Sequence, residues 1–409
     1  LKMLRKNKRY YYKPQHFISV SGMIYRMKQN AAGLASICIL STAVIIMLST
    51  TISLYVGVED VLRTRYPRNI IIDVDDLTDE QVRKLDEAIE QQILRYGAGQ
   101  EDIIRYRYMS FVTVCNGASF SAPDPNSYSY GDLSIIVFIT ADEFTRLANK
   151  PVSLSDGETL LYAYRGDIPG DTAKFNNFEL TIKERLHDDD IGTIYKGIMS
   201  AMAANSYFFV VKDIDTIRQA YESYNGENSN MPGLSYYYAF DVSGDRETQI
   251  NLVKEIRNAM RGMEIDGYVE GPEIEREGFY SLYGGLFFLG LFLGILFIMA
   301  TVLIIYYKQI TEGYDDKERF SIMQKVGMSR TEVWKSIRSQ VLSVFYLPLV
   351  MAVIHIAFAF KVITKLLVVF NLTNVPLFAT CTAITILVFA VFYSIVYAMT
   401  AKTYYKIVS

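Results

Sequence analysis

At 409 residues the chain is long enough for several domains, but its 51% hydrophobic content is gathered into four blocks, which excludes an ordinary soluble protein. A formal net charge of −3 hides a bipolar molecule, and no nucleic-acid partner is expected. Three cysteines, Cys38, Cys115 and Cys381, two of them in apolar blocks, exclude a disulfide framework.

Residues 1–32 hold eight Lys or Arg and no acid, which marks a cytoplasmic end. After Pro14, the residues Phe17, Val20, Met23, Ile24 and Met27 recur at helical spacing, as suits an interfacial amphipathic helix on the inner leaflet. Residues 33–57 form the first transmembrane span. The chain starts with Leu, and with no signal peptide ahead of it this span is expected to serve as an uncleaved anchor.

Residues 58–278 carry 22 basic and 39 acidic side chains, a local net of −17, and are expected to lie outside the cytoplasm. The apolar run Ile70-Ile71-Ile72 precedes Thr78-Asp79-Glu80-Gln81, a capping box for a helix ending near Gly97. The same strand, cap and helix unit recurs as Ile135 to Ile139 before Thr140, Tyr207 to Val211 before Ile214 to Tyr224, and Tyr236 to Phe240 before Gln249 to Met260. An α+β domain follows. The stretches Ala122 to Tyr128 and Asn225 to Asn230 read as exposed loops. Tyr128 and Tyr130 are candidate ligand contacts, whereas Tyr236, Tyr237 and Tyr238 suit strands. Asp188 to Asp190, and Asp73 with Asp75 and Asp76, lack the Gly and terminal Glu of a calcium loop and read as solvated acidic surface.

Spans at 279–307, 341–361 and 376–399 complete the topology, with 362–375 a short external loop. The basic segments 308–340 and 400–409 then share the cytoplasmic side with the N-terminus. The expected fold class is an α-helical membrane protein of four transmembrane helices, with a large α+β extracytoplasmic domain between helices 1 and 2. Gly290 and Gly294 form a GxxxG that suits close helix packing. Pro348 and His355 interrupt the third span, and His355 is an intramembrane ionisable candidate whose commoner state is neutral and hydrogen-bonded.

No GxxxxGK[ST], HExxH, CxxC or GxSxG occurs, and His16, His187 and His355 fall in three compartments of this topology. No catalytic or metal site is expected, and any ATP used is bound by a partner subunit. In the cytoplasmic segment, Phe320, Met323 and Val326 share a helical face, Gly327 provides a left-handed stop, and Ser329 with Glu332 caps a second helix. Such an apolar face beneath a membrane suits docking into a groove of a cytosolic partner.

Glu318, Arg319, Ile322 or Met323, Lys325, Val326, Gly327, Met328 and Ser329 resemble the pattern E-R-x-x-[IM]-x-[KR]-x-[VI]-G-[MA]-[ST] of the FtsX-like permease family of ABC transporters. The layout of one span, a long outer domain and three spans is similar over essentially the whole chain. The lead-in Tyr11 to Phe17 and Ser21 to Asn30 resembles the bacitracin-type peptide-resistance permeases, specifically their C-terminal part. The chain then corresponds either to part of a ten-span permease or to a four-span relative that must dimerise. The resemblance implies a cytosolic ABC ATPase dimer, a cationic or lipid-bound peptide ligand, and a membrane histidine kinase as signalling partner. Its alternatives are an FtsX-type cell-division regulator acting on a wall hydrolase, or a lipoprotein- or macrolide-type mechanotransmission permease.

Overall fold

The computed structural model describes residues 9, 31–123, 133–191, 205–225, 231–325 and 330–408. In chain order the elements are α1 (Ala31–Val56), α2 (Val58–Arg65), β1 (Ile70–Val74), α3 (Asp79–Arg95), β2 (Gln100–Asn116), β3 (Ser119–Ser121) and β4 (Leu133–Thr140). Then come α4 (Ala141–Ala148), β5 (Glu158–Arg165), β6 (Thr172–Phe175), β7 (Phe178–Arg185), α5 (Asp188–Ile191), β8 (Asn205–Val211), α6 (Ile214–Asn225) and β9 (Ser235–Val242). The last are α7 (Arg246–Gly262), β10 (Gly267–Glu270), α8 (Pro272–Lys325), α9 (Arg330–Val369) and α10 (Val375–Val408). Two compact units result: Leu1–Val58 with Ser281–Leu367 and Asn374–Ser409, and Glu59–Tyr280 with Val368–Thr373.

The first unit is helical. Apolar stretches of α1, α8, α9 and α10 are each long and apolar enough to cross a membrane. Their shared core takes Val44 and Ile45 from α1, Ile305 from α8, Phe345 and Leu349 from α9, and Phe389 and Tyr393 from α10. Large apolar side chains such as Phe288, Phe358 and Leu387 stay exposed, as expected where the surroundings are hydrocarbon and burial brings no hydrophobic gain. Hydroxyls within these helices bond the preceding turn: Thr301 to Phe297 O at 2.8 Å, Thr385 to Cys381 O at 2.7 Å. Pro348 sits inside α9, and the neighbouring Phe345 carbonyl accepts the Tyr393 hydroxyl at 2.8 Å. Helix α9 runs to Val369, so the external loop expected at 362–375 shrinks to 370–374. Ile363 and Leu367 are buried while Lys361 and Lys365 stay within solvent reach, which continues the helix past the expected span end.

The second unit is sheet-rich and lies between α1 and α8 in the chain. Strands β10, β1 and β9 lead to β2, whose Gln100–Tyr108 stretch pairs with β9. Further along, Met109–Val114 of the same strand pairs with β4 and Val114–Asn116 with β3. From there the order β2-β3-β6-β7-β5-β8-β4 returns to β2 and closes a barrel-like ring. One face of the open part packs Ile70, Ile72 and Val74 of β1 with Tyr236, Tyr238 and Phe240 of β9 against α3 and α7. The alternate residues point to the other face, where Tyr237 meets Tyr106 with ring centroids 5.1 Å apart. The ring fills with Phe120, Phe138, Phe175 and Phe209.

The caps form as the residue types dictate. Thr78 accepts from the Gln81 N–H, and the Gln81 side chain accepts from Thr78 N at 3.0 Å. Thr140 accepts from Glu143 N, and Asp245 caps α7 by accepting from Thr248 N at 2.9 Å.

Candidate functional site

The segment singled out for coupling begins where α8 leaves the bundle. At Gly313 an added Cβ would meet Tyr404 and Ile407 of α10 at 3.4 Å, so the two backbones approach closely. One turn later the Tyr404 hydroxyl donates to Asp316 Oδ2 at 2.6 Å, with both residues buried. A buried carboxylate requires such a partner, and the bond clamps α8 to α10 immediately before Glu318. Glu318 is exposed. Arg319, Phe320 and Met323 follow on the same continuous helix, which runs to Lys325. Val326, Gly327, Met328 and Ser329 lie outside the described residues, and Glu332 belongs to the first turn of α9. Helical backbone thus stands on both sides of residues 326–329 in the chain.

Gly290 and Gly294 face α1. A Cβ on Gly290 would sit 2.7 Å from Thr51 Oγ1 and 2.9 Å from its Cγ2, and one on Gly294 would sit 3.2 Å from Leu48 Cδ2. Tyr55 and Phe287 stack beside this contact at 5.4 Å. In α9, His355 Nδ1 lies 3.8 Å from Cys38 Sγ of α1, which gives the imidazole a polar neighbour at that depth.

In the sheet-rich unit Asp75 and Asp76 are exposed, as the solvated-surface reading expects, whereas Asp73 is half-buried, and all three carboxylates accept hydrogen bonds. Tyr108 donates to Asp73 Oδ1 at 2.7 Å, Ser235 donates to Asp75 Oδ1 at 2.6 Å, and the Gly233 N–H donates to Asp76. These carboxylates tie β1 and the turn after it to β2 and to the entry of β9. Burial pushes Asp73 up to about 6, while its Tyr108 hydrogen bond opposes the rise. Glu59 and Glu273 both accept from Arg276, and this pairing holds Glu59 below the usual carboxylate range. Tyr236, Tyr237 and Tyr238 are buried in β9. Tyr128 and Tyr130, the interfacial segment 17–27 and most of the two loops lie outside the described residues. Residue typing alone passed over Asp316 and Tyr404. Their signal is an acid continuing the helical face of Lys308 and Glu312 beyond an apolar run.

Residues 286–406 match the FtsX-like permease C-terminal model. The chain carries an FtsX-like permease domain at its C-terminus. That domain takes in Gly290, Gly294, Asp316, the segment around Glu318 to Glu332, and Tyr404. Over 371 residues the chain is 21% identical to the ABC transporter permease protein YxdM of Bacillus subtilis (strain 168), covering 88% of this chain and 54% of that protein. It is 20% identical to the bacitracin export permease protein BceB of the same organism, over 87% of this chain and 52% of the relative. The BceB of Halalkalibacterium halodurans is 23% identical, over 88% and 53%. The chain spans about half the length of the curated relatives it matches.

Proposed function

We propose that this chain is permease sequence of an ABC transporter that couples ATP hydrolysis by a separate cytosolic ATPase dimer to the release, export or sensing of cell-wall-active peptides. The observation that carries the reading is the FtsX-like match at 286–406 together with similarity to bacitracin export permeases along nearly nine-tenths of the chain. Both chain ends lie in the cytoplasm in this reading, because basic residues gather in 1–32, 308–340 and 400–409. The sheet-rich unit lies outside, where its net charge of −17 attracts cationic peptide at long range. Phe320, Met323, Val326 and Met328 dock on the ATPase, and closure of that partner moves α8 and α9 through the turn at Gly327. A membrane histidine kinase reads the resulting state of the permease.

Co-purification from the native membrane tests the assignment. A stoichiometric P-loop ATPase whose hydrolysis responds to bacitracin-like peptides supports it, and absence of any ATPase overturns it. Phe320→Asp and Gly327→Pro are expected to abolish peptide resistance while leaving membrane insertion intact, and unchanged resistance in both would remove the coupling role from this segment.

A further inference from the structure

In its second half, α9 buries Ile356, Ile363 and Leu367 and exposes Phe358, Val362, Leu366 and Val369 on the opposite side. Lys361 and Lys365 stand on the exposed side, one helical turn apart. Among the described residues neither ammonium has an ion-pair or hydrogen-bond partner. Like charges four apart on a helix repel, so the pair calls for a counter-anion. Two observations set its height. The uncharged run 339–360 that leads to Lys361 spans about 33 Å at 1.5 Å per residue, close to the thickness of a hydrocarbon core. Phe360 also stacks on Phe378, in the first turn of α10, with ring centroids 5.1 Å apart, so both helices meet the same boundary there.

We propose that Lys361 and Lys365 bind one anionic phospholipid of the outer leaflet. Its phosphate oxygens accept from both ammonium groups, and its acyl chains lie along Val362 and Phe358 toward the membrane core. Charge selects the headgroup: two cations with no carboxylate beside them attract a net anion, whereas a zwitterionic lipid brings its own cation into repulsion with them. Position selects a lipid over a protein. Long lysine stems at the end of an apolar run carry their charges to the depth of the phosphates. The neighbouring side chains on this face are apolar, so they offer an acidic protein segment no further hydrogen bond, while acyl chains cover them without needing one. The inference rests on the topology read above, which puts this end of α9 outside, and is independent of which peptide the protein handles.

The test is native mass spectrometry of the intact protein released from nanodiscs of equal phosphatidylglycerol and phosphatidylcholine. The Lys361→Gln/Lys365→Gln variant is expected to hold one phosphatidylglycerol fewer per chain than the wild type. Either single variant should retain that lipid about fivefold more weakly, the worth of one lysine near an anionic surface. Lys361→Arg/Lys365→Arg should keep it. Equal phosphatidylglycerol on the wild type and the double glutamine variant overturns the proposal. So does a protein-sized mass lost together with the two lysines, which would give this face to a partner chain or a second copy. The side of the membrane is read separately, with a membrane-impermeant maleimide on intact cells carrying Lys365→Cys in a Cys115→Ser background. Labelling from outside with unaltered lipid retention sinks the site alone, whereas labelling only after permeabilisation removes the topology and with it the outer-leaflet assignment.

Discussion

Replacing Asp73 with Asn should stabilise the sheet-rich unit at neutral pH and change little in acid. Asp73 leaves β1 beside the Tyr108 hydroxyl of β2, 2.7 Å from Oδ1. Burial is the main cause that pushes its pKa from 3.8 to about 6; Asp75 and Glu270 add to the rise, while the Tyr108 hydrogen bond and Arg65 oppose it. A shift of that size corresponds to about 3 kcal/mol against the charged form in the fold. Solvent still reaches the half-buried side chain, which reduces the expected effect to about 1–2 kcal/mol. The folded pKa lies above the unfolded one, so the stabilising contribution is complete below the unfolded value and is lost as pH rises through about 6. Asn keeps an acceptor for Tyr108 and carries no charge. Thermal unfolding of the purified protein and the variant across that range should therefore show a difference near zero in acid, growing to about 1–2 kcal/mol at neutral pH in favour of Asn. Tyr108→Phe removes a bond that favours the carboxylate, and should move the wild-type transition to higher pH. A stability difference independent of pH, or an Asn variant weaker than wild type at neutral pH, would refute the reasoning.

Gly290→Val places a branched side chain where Thr51 already stands 2.7 Å from a bare Cβ, and should cost about 1–3 kcal/mol of bundle stability, read from unfolding in detergent. Tyr404→Phe deprives the buried Asp316 carboxylate of a hydroxyl at 2.6 Å; a loss of about 1–3 kcal/mol is expected, with Asp316→Asn in the Phe background recovering part of it. Thr78→Ala removes the capping box of α3 and should lower stability by about 1 kcal/mol, detectable as faster amide exchange in the first turn of that helix.

The membrane helices were legible because hydrocarbon leaves the backbone one local solution, a helix, and demands an uncharged stretch of known length. The strands β1, β4, β8 and β9 were equally legible, since each contains a short apolar run with a mostly buried pattern. β2 was not. Its helix-facing positions include Arg105 and Arg107, which reach Asp86 and Asp79 of α3, so a half-buried strand reads as a charged segment. The closure of the ring was hidden for a different reason. It depends on β2 changing partners from β9 to β4 at Met109, and β6 and β7 pair across a tight turn with modest apolar content. The change of partner by β2 is non-local and leaves no periodic trace in either strand.

The polar residues of the bundle end carry the same lesson in reverse. Lys308, Glu312 and Asp316 follow an uncharged run, and counted as loop charges they serve only to assign the side of the membrane. Their spacing of four keeps them on one helical face. The structure turns that face inward, toward Tyr404 at one level and a cleft lined by Gln309 at another. A charge count cannot separate these roles, because the topology signal depends on composition and the buried role depends on phase. Reading the helical phase past the end of an apolar run is what distinguishes a residue that orients the chain from one that joins two helices.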